Sequence, residues 1–295
     1  MKLGFIGLGV MGRPMALNLM KHGHDMAVYA RRAEAARPLV DAGARPCATP
    51  ADVAAASEVV FTMVTASSDL EQVVLGDHGV MDAAARGSVL VDMETIEPAV
   101  ARRIALRLKE KGVDMLDAPV SGGPAAAEQA SLSIMAGGDD QVFERMKPLL
   151  ACLGKTIVHM GPSGAGQMTK VCNQLALLVT AQGTAEALTL ARRAGLDPVR
   201  VREVMLAGLA GSRVMELFGQ RMATRDFAAG IETRLYHKDL AIALAVAHEL
   251  GQGLPAASLV MQHVNAAVGA GDARGDLSSI LKVVERLGTP PSHGS

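Results

Sequence analysis

Up to about residue 162, short apolar runs alternate with longer stretches of mixed polarity. The runs fall at 3–6, 26–29, 59–63, 89–92, 115–117, 131–136 and 156–159. Strands alternating with helical stretches predict a doubly wound, mostly parallel α/β sheet. The early runs are apolar at nearly every position, as strands covered on both faces require. Beyond Gly161-Pro162-Ser163-Gly164 the pattern becomes helical and stays so to about Leu287, with no further β-like run. One long apolar pattern spans 165–193 and stops at Gly195, placed as a C-cap glycine. Asp197-Pro198 then restarts a helix with an N-cap acid and proline at N1. Further helices are expected near 212–224, 238–250, 255–269 and 277–287.

The first run leads into Gly7-Leu8-Gly9-Val10-Met11-Gly12, so a G-x-G-x-x-G motif stands between a strand and a helix in a βαβ unit of roughly 30 residues. Gly7 suits the tight turn, Gly9 the close approach of a pyrophosphate, and Gly12 the packing of helix on strand. The free N–H groups of the helix start then face the anion. The predicted architecture is a Rossmann-type doubly wound domain over 1–162, a long connecting helix, and an all-α domain over 163–288, with a cleft between the two domains. The segment 289–295, with two prolines, is expected to be a disordered tail.

Composition narrows the partners. With 29 Lys and Arg against 30 Asp and Glu, the net charge of −1 argues against a nucleic-acid or anionic-membrane partner. Apolar residues make up 49% of the chain, yet no uninterrupted run approaches the ~20 residues of a membrane span. The richest stretch, 175–191, carries Gln182 and Glu186 and reads as a buried helix. Cys47, Cys152 and Cys172 are widely spaced and odd in number, which fits a reduced, cytoplasmic protein without disulfides or a cysteine metal site. A strand beginning at residue 2 leaves no room for a cleavable leader. The eight histidines form no H-E-x-x-H pair, so no metal is expected. With no Trp, two Tyr and five Phe, the chain lacks a base-stacking platform.

Three segments offer chemistry. Asp117-Ala118-Pro119-Val120-Ser121-Gly122-Gly123-Pro124 follows a predicted strand, at the sheet edge where ligands bind. Ser121 brings a hydroxyl, and Gly122 and Gly123 bring N–H groups suited to a carboxylate; an ordinary Pro/Gly turn is the alternative. Lys170 falls in the first turns of the long helix, with Asn173 and Gln174 on its face. Among Val171, Cys172, Leu175 and Leu177 it is a candidate for partial burial, which would make it a usable proton donor near neutral pH; a snorkelling helix lysine is the alternative. His237-Lys238-Asp239-Leu240 opens a later helix, where Asp239 would complement the helix dipole.

Four segments, in order, resemble the β-hydroxyacid dehydrogenases, the family related to 3-hydroxyisobutyrate dehydrogenase. They are Gly4-Phe5-Ile6-Gly7-Leu8-Gly9-Val10-Met11-Gly12, the stretch from Asp117 to Gly123, Gly164-Ala165-Gly166 through Lys170 to Asn173, and Lys238-Asp239-Leu240. The resemblance covers the chain from residue 1 to about 287. It implies an NAD(P)-dependent oxidoreductase that interconverts a small 3-hydroxy acid and its semialdehyde. Lys170 matches the family's catalytic lysine; Ser121, Gly122, Gly123 and Asn173 match substrate-anchoring positions; Met63, Val64, Thr95 and Lys238 match positions that touch the cofactor. Within the family, Lys170-Val171-Cys172-Asn173-Gln174 and Gly208-Leu209-Ala210-Gly211-Ser212 look most like the tartronate semialdehyde (2-hydroxy-3-oxopropionate) reductase branch. The 3-hydroxyisobutyrate dehydrogenases, the nearest alternative together with the succinic semialdehyde/glyoxylate reductases, usually carry Asn where this chain has Gln174. Departures are Met63-Val64-Thr65 for Met-Leu-Pro, Ala130-Ser131-Leu132 for Gly-Thr-Leu, and Glu94 where Ser is usual. A non-catalytic NAD(P)-binding scaffold is the alternative of another class, disfavoured because Lys170 is kept. Family resemblance also implies a homodimer or homotetramer, in keeping with the apolar run Ala241-Ile242-Ala243-Leu244-Ala245-Val246-Ala247.

Cofactor choice can be read from the residues. An NAD-selective site usually ends its second strand with Asp or Glu, which accepts from the ribose 2′-hydroxyl. Here Met26-Ala27-Val28-Tyr29 is followed by Ala30-Arg31-Arg32. The acid is absent, and Arg31 and Arg32 are suited to a 2′-phosphate, so NADP is expected over NAD.

Overall fold

The structure, a computed structural model, describes residues 1–228 and 230–288; the tail expected at 289–295 lies outside the described residues. The chain forms two compact units, Met1–Lys170 and Val171–Ser295. The first unit carries helices α1 (Gly12–Lys21), α2 (Ala33–Asp41), α3 (Pro50–Ala55), α4 (Ser67–Leu75), α5 (Val80–Ala83), α6 (Pro98–Glu110), α7 (Gly123–Glu128) and α8 (Asp140–Leu150), and helix α9 (Ala165–Arg193) begins there and ends in the second unit.

The first unit is built on nine strands: β1 (Lys2–Ile6), β2 (Asp25–Tyr29), β3 (Arg45–Pro46), β4 (Val59–Thr62), β5 (Val89–Asp92), β6 (Asp114–Asp117), β7 (Val120–Ser121), β8 (Leu132–Gly137) and β9 (Gly154–Gly161). Their order is β3-β2-β1-β4-β5-β6-β8-β7, with β9 pairing β8. From β3 to β6 every pairing is parallel. At β8 the direction reverses, since β8 runs antiparallel to β6 and β7 but parallel to β9. The seven expected runs all became strands. The two that sequence patterning did not anticipate, β3 and β7, are two residues long, too short to show a period.

The apolar runs are explained by burial on two faces. Leu3 and Phe5 of β1, Val59 and Phe61 of β4, Val89 and Val91 of β5 and Leu116 of β6 join one core cluster. Their alternates Ile6, Val60, Leu90 and Met115 join another. A strand period of two thus sends successive residues into different cores, so no position is left for a polar side chain until the strand ends. The rings of Phe5 and Phe61 stack with centroids 6.0 Å apart on the first face.

The second unit is helical: the remainder of α9, then α10 (Pro198–Ala207), α11 (Gln220–Thr224), α12 (Thr233–Glu249), α13 (Pro255–Gly269) and α14 (Ile280–Arg286). Asp197 caps α10 by accepting from Val199 N–H. Within the expected helix at 212–224, Met215–Gly219 is wound as a π-helix, held by buried Arg202, whose guanidinium donates to the Met215 and Glu216 carbonyls. α12 starts five residues before the sequence pattern suggested, because Thr233 is drawn in by hydrogen bonds to the Gly275 carbonyl. A single isolated bridge, Glu232 with Asp276, is the β-pairing seen in this unit among the described residues.

Candidate functional site

The sheet order reverses between β1 and β4, and such a switch point opens a crevice at the carboxyl ends of the strands. Gly7 leaves β1 with φ of +97°, a conformation open to glycine, and a Cβ there would lie 2.3 Å from the Met63 carbonyl oxygen. Met63 N–H donates to the Ile6 carbonyl at 2.9 Å, so Met63 and Val64 sit beside the glycine loop. Helix α1 (Gly12–Lys21) starts at the third glycine, where a Cβ would meet the Gly7 carbonyl oxygen at 2.0 Å and the Phe5 ring at 2.9 Å. Gly9 differs: a Cβ there meets nothing within 4 Å. No side chain caps α1 and no acid lies in its first turn. The loop is therefore packed at its two ends and open at its middle, above an unneutralised helix start. That fits the pyrophosphate of a dinucleotide. Arg31 and Arg32 follow β2; Arg31 reaches Asp69 at 3.4 Å in an exposed pair, and Arg32 precedes helix α2 (Ala33–Asp41).

A row of polar side chains closes the same edge further along the sheet. Thr62, Asp92 and Asp117 are the last residues of β4, β5 and β6 and lie in register. All three are buried. Thr62 Oγ1 donates to Asp92 Oδ1 at 2.8 Å. Asp117 accepts from the backbone N–H groups of Gly164 (2.7 Å) and Gln167 (2.9 Å), and so caps the start of α9. Burial pushes its carboxyl up to about 6, against the opposing pull of those N–H donors. The Gln167 side chain adds a second tie: its Oε1 accepts from Ile96 N–H at 3.1 Å, and its Nε2 donates to the Glu94 carbonyl at 2.7 Å and towards Asp92 Oδ2 at 3.4 Å. Glycine allows the helix in this close. A Cβ on Gly166 would lie 2.3 Å from both the Asp117 and Met135 carbonyl oxygens.

Lys170 stands one turn beyond Gln167 on this latched helix start and is buried, at 6% exposure. Thr95 lies half-buried in the segment that Gln167 grips, beside buried Glu94. Ser121 ends β7, paired with Ser133 of β8, two residues before the Met135 carbonyl against which Gly166 packs. Gly122 (φ +136°) and Gly123 (φ +70°) then turn the chain into the short helix α7 (Gly123–Glu128).

In the helical unit, Asn173, Gln174, Lys238 and Asp239 come together. Asn173 Nδ2 donates to Gln174 Oε1 at 2.8 Å, Gln174 Nε2 donates to Asp239 Oδ2, and Lys238 Nζ is 3.1 Å from Asp239 Oδ1. Because α12 begins at Thr233, Asp239 lies in its second turn and serves this network rather than the helix start.

Of the residues expected from sequence, Gly7, Leu8, Gly9, Val10, Met11 and Gly12 join β1 to α1, with the Leu8 side chain in the core, and Met63 and Val64 follow β4 beside Gly7. Thr95 and Lys170 are tied to the strand-end row, and Asn173 and Lys238 to the Asp239 network. Sequence reading missed Thr62, Asp92, Gln167 and the structural work of Asp117. For Thr62, Asp92 and Asp117 the available signal was a polar residue at the end of an otherwise apolar strand; Gln167 gave none. Among the described residues no group of three or more His, Cys, Asp or Glu is placed to hold a metal ion, and no helix is long and apolar enough to cross a membrane.

Residues 2–161 match the NAD binding domain of 6-phosphogluconate dehydrogenase, and residues 164–284 match the NAD-binding domain of NADP-dependent 3-hydroxyisobutyrate dehydrogenase. The chain is 42% identical to 2-hydroxy-3-oxopropionate reductase of Escherichia coli, over 97% of this chain and 98% of that one. It is 37% identical to 3-hydroxyisobutyrate dehydrogenase of Pseudomonas aeruginosa, over 95% and 97%. Among solved structures, Mycobacterium tuberculosis 3-hydroxyisobutyrate dehydrogenase with L-serine superposes with a TM-score of 0.87 at 30% identity, covering 96% of this chain and 98% of that one.

Proposed function

Because the chain belongs to the NAD(P)-dependent β-hydroxyacid dehydrogenases related to 3-hydroxyisobutyrate dehydrogenase, we propose that it reduces a three-carbon semialdehyde acid to its 3-hydroxy acid, with 2-hydroxy-3-oxopropionate as the preferred substrate. Buried Lys170, on a helix start latched to the carboxyl edge of a dinucleotide-binding sheet, carries this reading. The bound nicotinamide supplies or accepts the hydride. In the reductive direction Lys170 gives its proton to the carbonyl oxygen as hydride reaches the carbon, and water reprotonates the amine. Ser121 and the Gly122 and Gly123 amides hold the carboxylate and fix the attack geometry, while Asn173 anchors the remainder of the substrate. Leu8, Gly9, Val10 and Met11 face the pyrophosphate, and Met63, Val64, Thr95 and Lys238 face the rest of the cofactor. That the E. coli relative is a 2-hydroxy-3-oxopropionate reductase, and that the mycobacterial relative was solved with L-serine, itself a 3-hydroxy acid, supports this substrate class.

NADP is the preferred cofactor in this reading. β2 ends without an acid, and the exposed Asp69 pair leaves Arg31 easily recruited to a 2′-phosphate. The protein acts as a homodimer or homotetramer, supported by exposed Val204, Leu209, Leu217 and Leu259 on the helical unit. The deciding experiment is a substrate panel. Turnover of 2-hydroxy-3-oxopropionate with NADPH is expected to exceed that of 2-methyl-3-oxopropionate and succinic semialdehyde; tight cofactor binding with no turnover of any of them would instead indicate a scaffold.

A further inference from the structure

In the helical unit, Lys238, Asp239, Gln174 and Asn173 form a chain of polar contacts with a fixed direction. The ends of an Asn or Gln amide are ordinarily interchangeable by a half-turn, and the hydrogen-bond network decides between them. Here the decision starts at one end. Asp239 is a carboxylate beside a lysine ammonium, and an ionised carboxylate only accepts. Buried Gln174 must therefore turn its NH₂ to Asp239, which leaves its carbonyl for Asn173. Asn173 in turn must present its own NH₂ to Gln174. The free end of the half-exposed Asn173 amide is then its oxygen, Oδ1.

Resting on the reading of Asn173 as a substrate-anchoring residue, we propose that Gln174 is a specificity-determining positioning residue: it transmits the orientation set by Asp239 to Asn173, so that Oδ1 accepts from the substrate and the site selects a 3-oxo acid with a hydroxyl at C2 over one with a methyl. A C2 hydroxyl donates to Oδ1. A methyl of similar size fills the same space but leaves that acceptor unpaired, which disfavours it.

The test measures kcat/KM with NADPH for 2-hydroxy-3-oxopropionate and 2-methyl-3-oxopropionate, whose difference is confined to C2. The wild-type protein should favour the hydroxyl compound by about 10-fold to 100-fold. Gln174→Met keeps the length of the side chain and removes both polar contacts; it should bring the ratio to within about threefold. A role confined to packing would lower both values together and leave the ratio intact. Asn173→Ala, at a half-exposed position that needs no repacking, should abolish the preference in the same way and decides the matter if Gln174→Met fails to fold. A ratio near one in the wild type, or a ratio that survives Asn173→Ala or a folded Gln174→Met, overturns the proposal. Failure of the wild type to reduce either compound would overturn the activity reading itself, and this proposal with it.

Discussion

Two buried carboxylates, Asp117 in the sheet unit and Asp239 in the helical unit, are held by different means. Asp117 accepts two backbone N–H groups at the start of α9. Asp239 accepts from the Gln174 amide at Oδ2 and forms an ion pair with Lys238 at Oδ1, 3.1 Å away. A main-chain donor cannot rotate away from its helix, so the first arrangement fixes where a helix begins. Side-chain donors can rotate, so the second arrangement fixes which way amides face. One carboxylate places an element and the other orients a functional group.

That contrast is testable, beginning with the group whose position the Asp117 latch determines. Lys170→Ala should lower turnover about 10²-fold to 10⁴-fold, the usual loss for a positioned acid, while NADPH binding measured by fluorescence titration stays close to wild type. Near wild-type turnover would remove Lys170 from the chemistry and leave the latch with nothing to place.

Asp117→Asn probes the latch through pH. The folded carboxyl titrates at about 6 against an ordinary 3.8. Between those values the native state holds the proton more tightly than the unfolded chain, so this group's contribution to stability is greatest below about pH 4 and falls as pH rises towards 6. The gap corresponds to about 3 kcal/mol. The stability of Asp117→Asn relative to wild type, from urea unfolding, should accordingly rise by about 2 kcal/mol from pH 4 to pH 7. A flat difference would mean that burial does not raise the Asp117 carboxyl.

Asp239→Asn should behave otherwise. It removes the ion pair with Lys238 and lets Gln174 flip, at about 1–2 kcal/mol of stability, and its principal effect should be a reduced preference between the C2-hydroxy and C2-methyl substrates. If its principal effect were instead a pH-dependent loss of stability, the distinction between the two carboxylates would collapse.

The smallest effect concerns the far end of the cofactor. Arg31→Ala should reduce the NADPH over NADH ratio of kcat/KM by about threefold to tenfold, as expected for a partly exposed guanidinium on a phosphate. Higher kcat/KM with NADH in the wild type would refute the NADP preference outright.

Legibility in the sequence followed the range of the interactions concerned. The seven longer strands, the glycine loop and the long helix were readable because each rests on a local pattern: a period of two under two-sided burial, three glycines at a turn, or an apolar stripe ending at Gly195. The two-residue strands β3 and β7 were not, since a strand that short exists only through the neighbour it pairs with. Lys170 could be picked out as a lysine in an apolar helix start, and its burial follows from the latch beneath it. Asp117 and Gln167 lay inside recognised segments, yet nothing local tells that they bind each other's elements across fifty residues of chain. The sequence by itself determined an α/β fold joined to a helical domain, because hydrophobic burial is written residue by residue, and its glycine motif marked the dinucleotide turn. Only the tertiary structure decided which carboxylate caps a helix and which aims an amide, because a buried polar group is defined by the partners that folding brings to it.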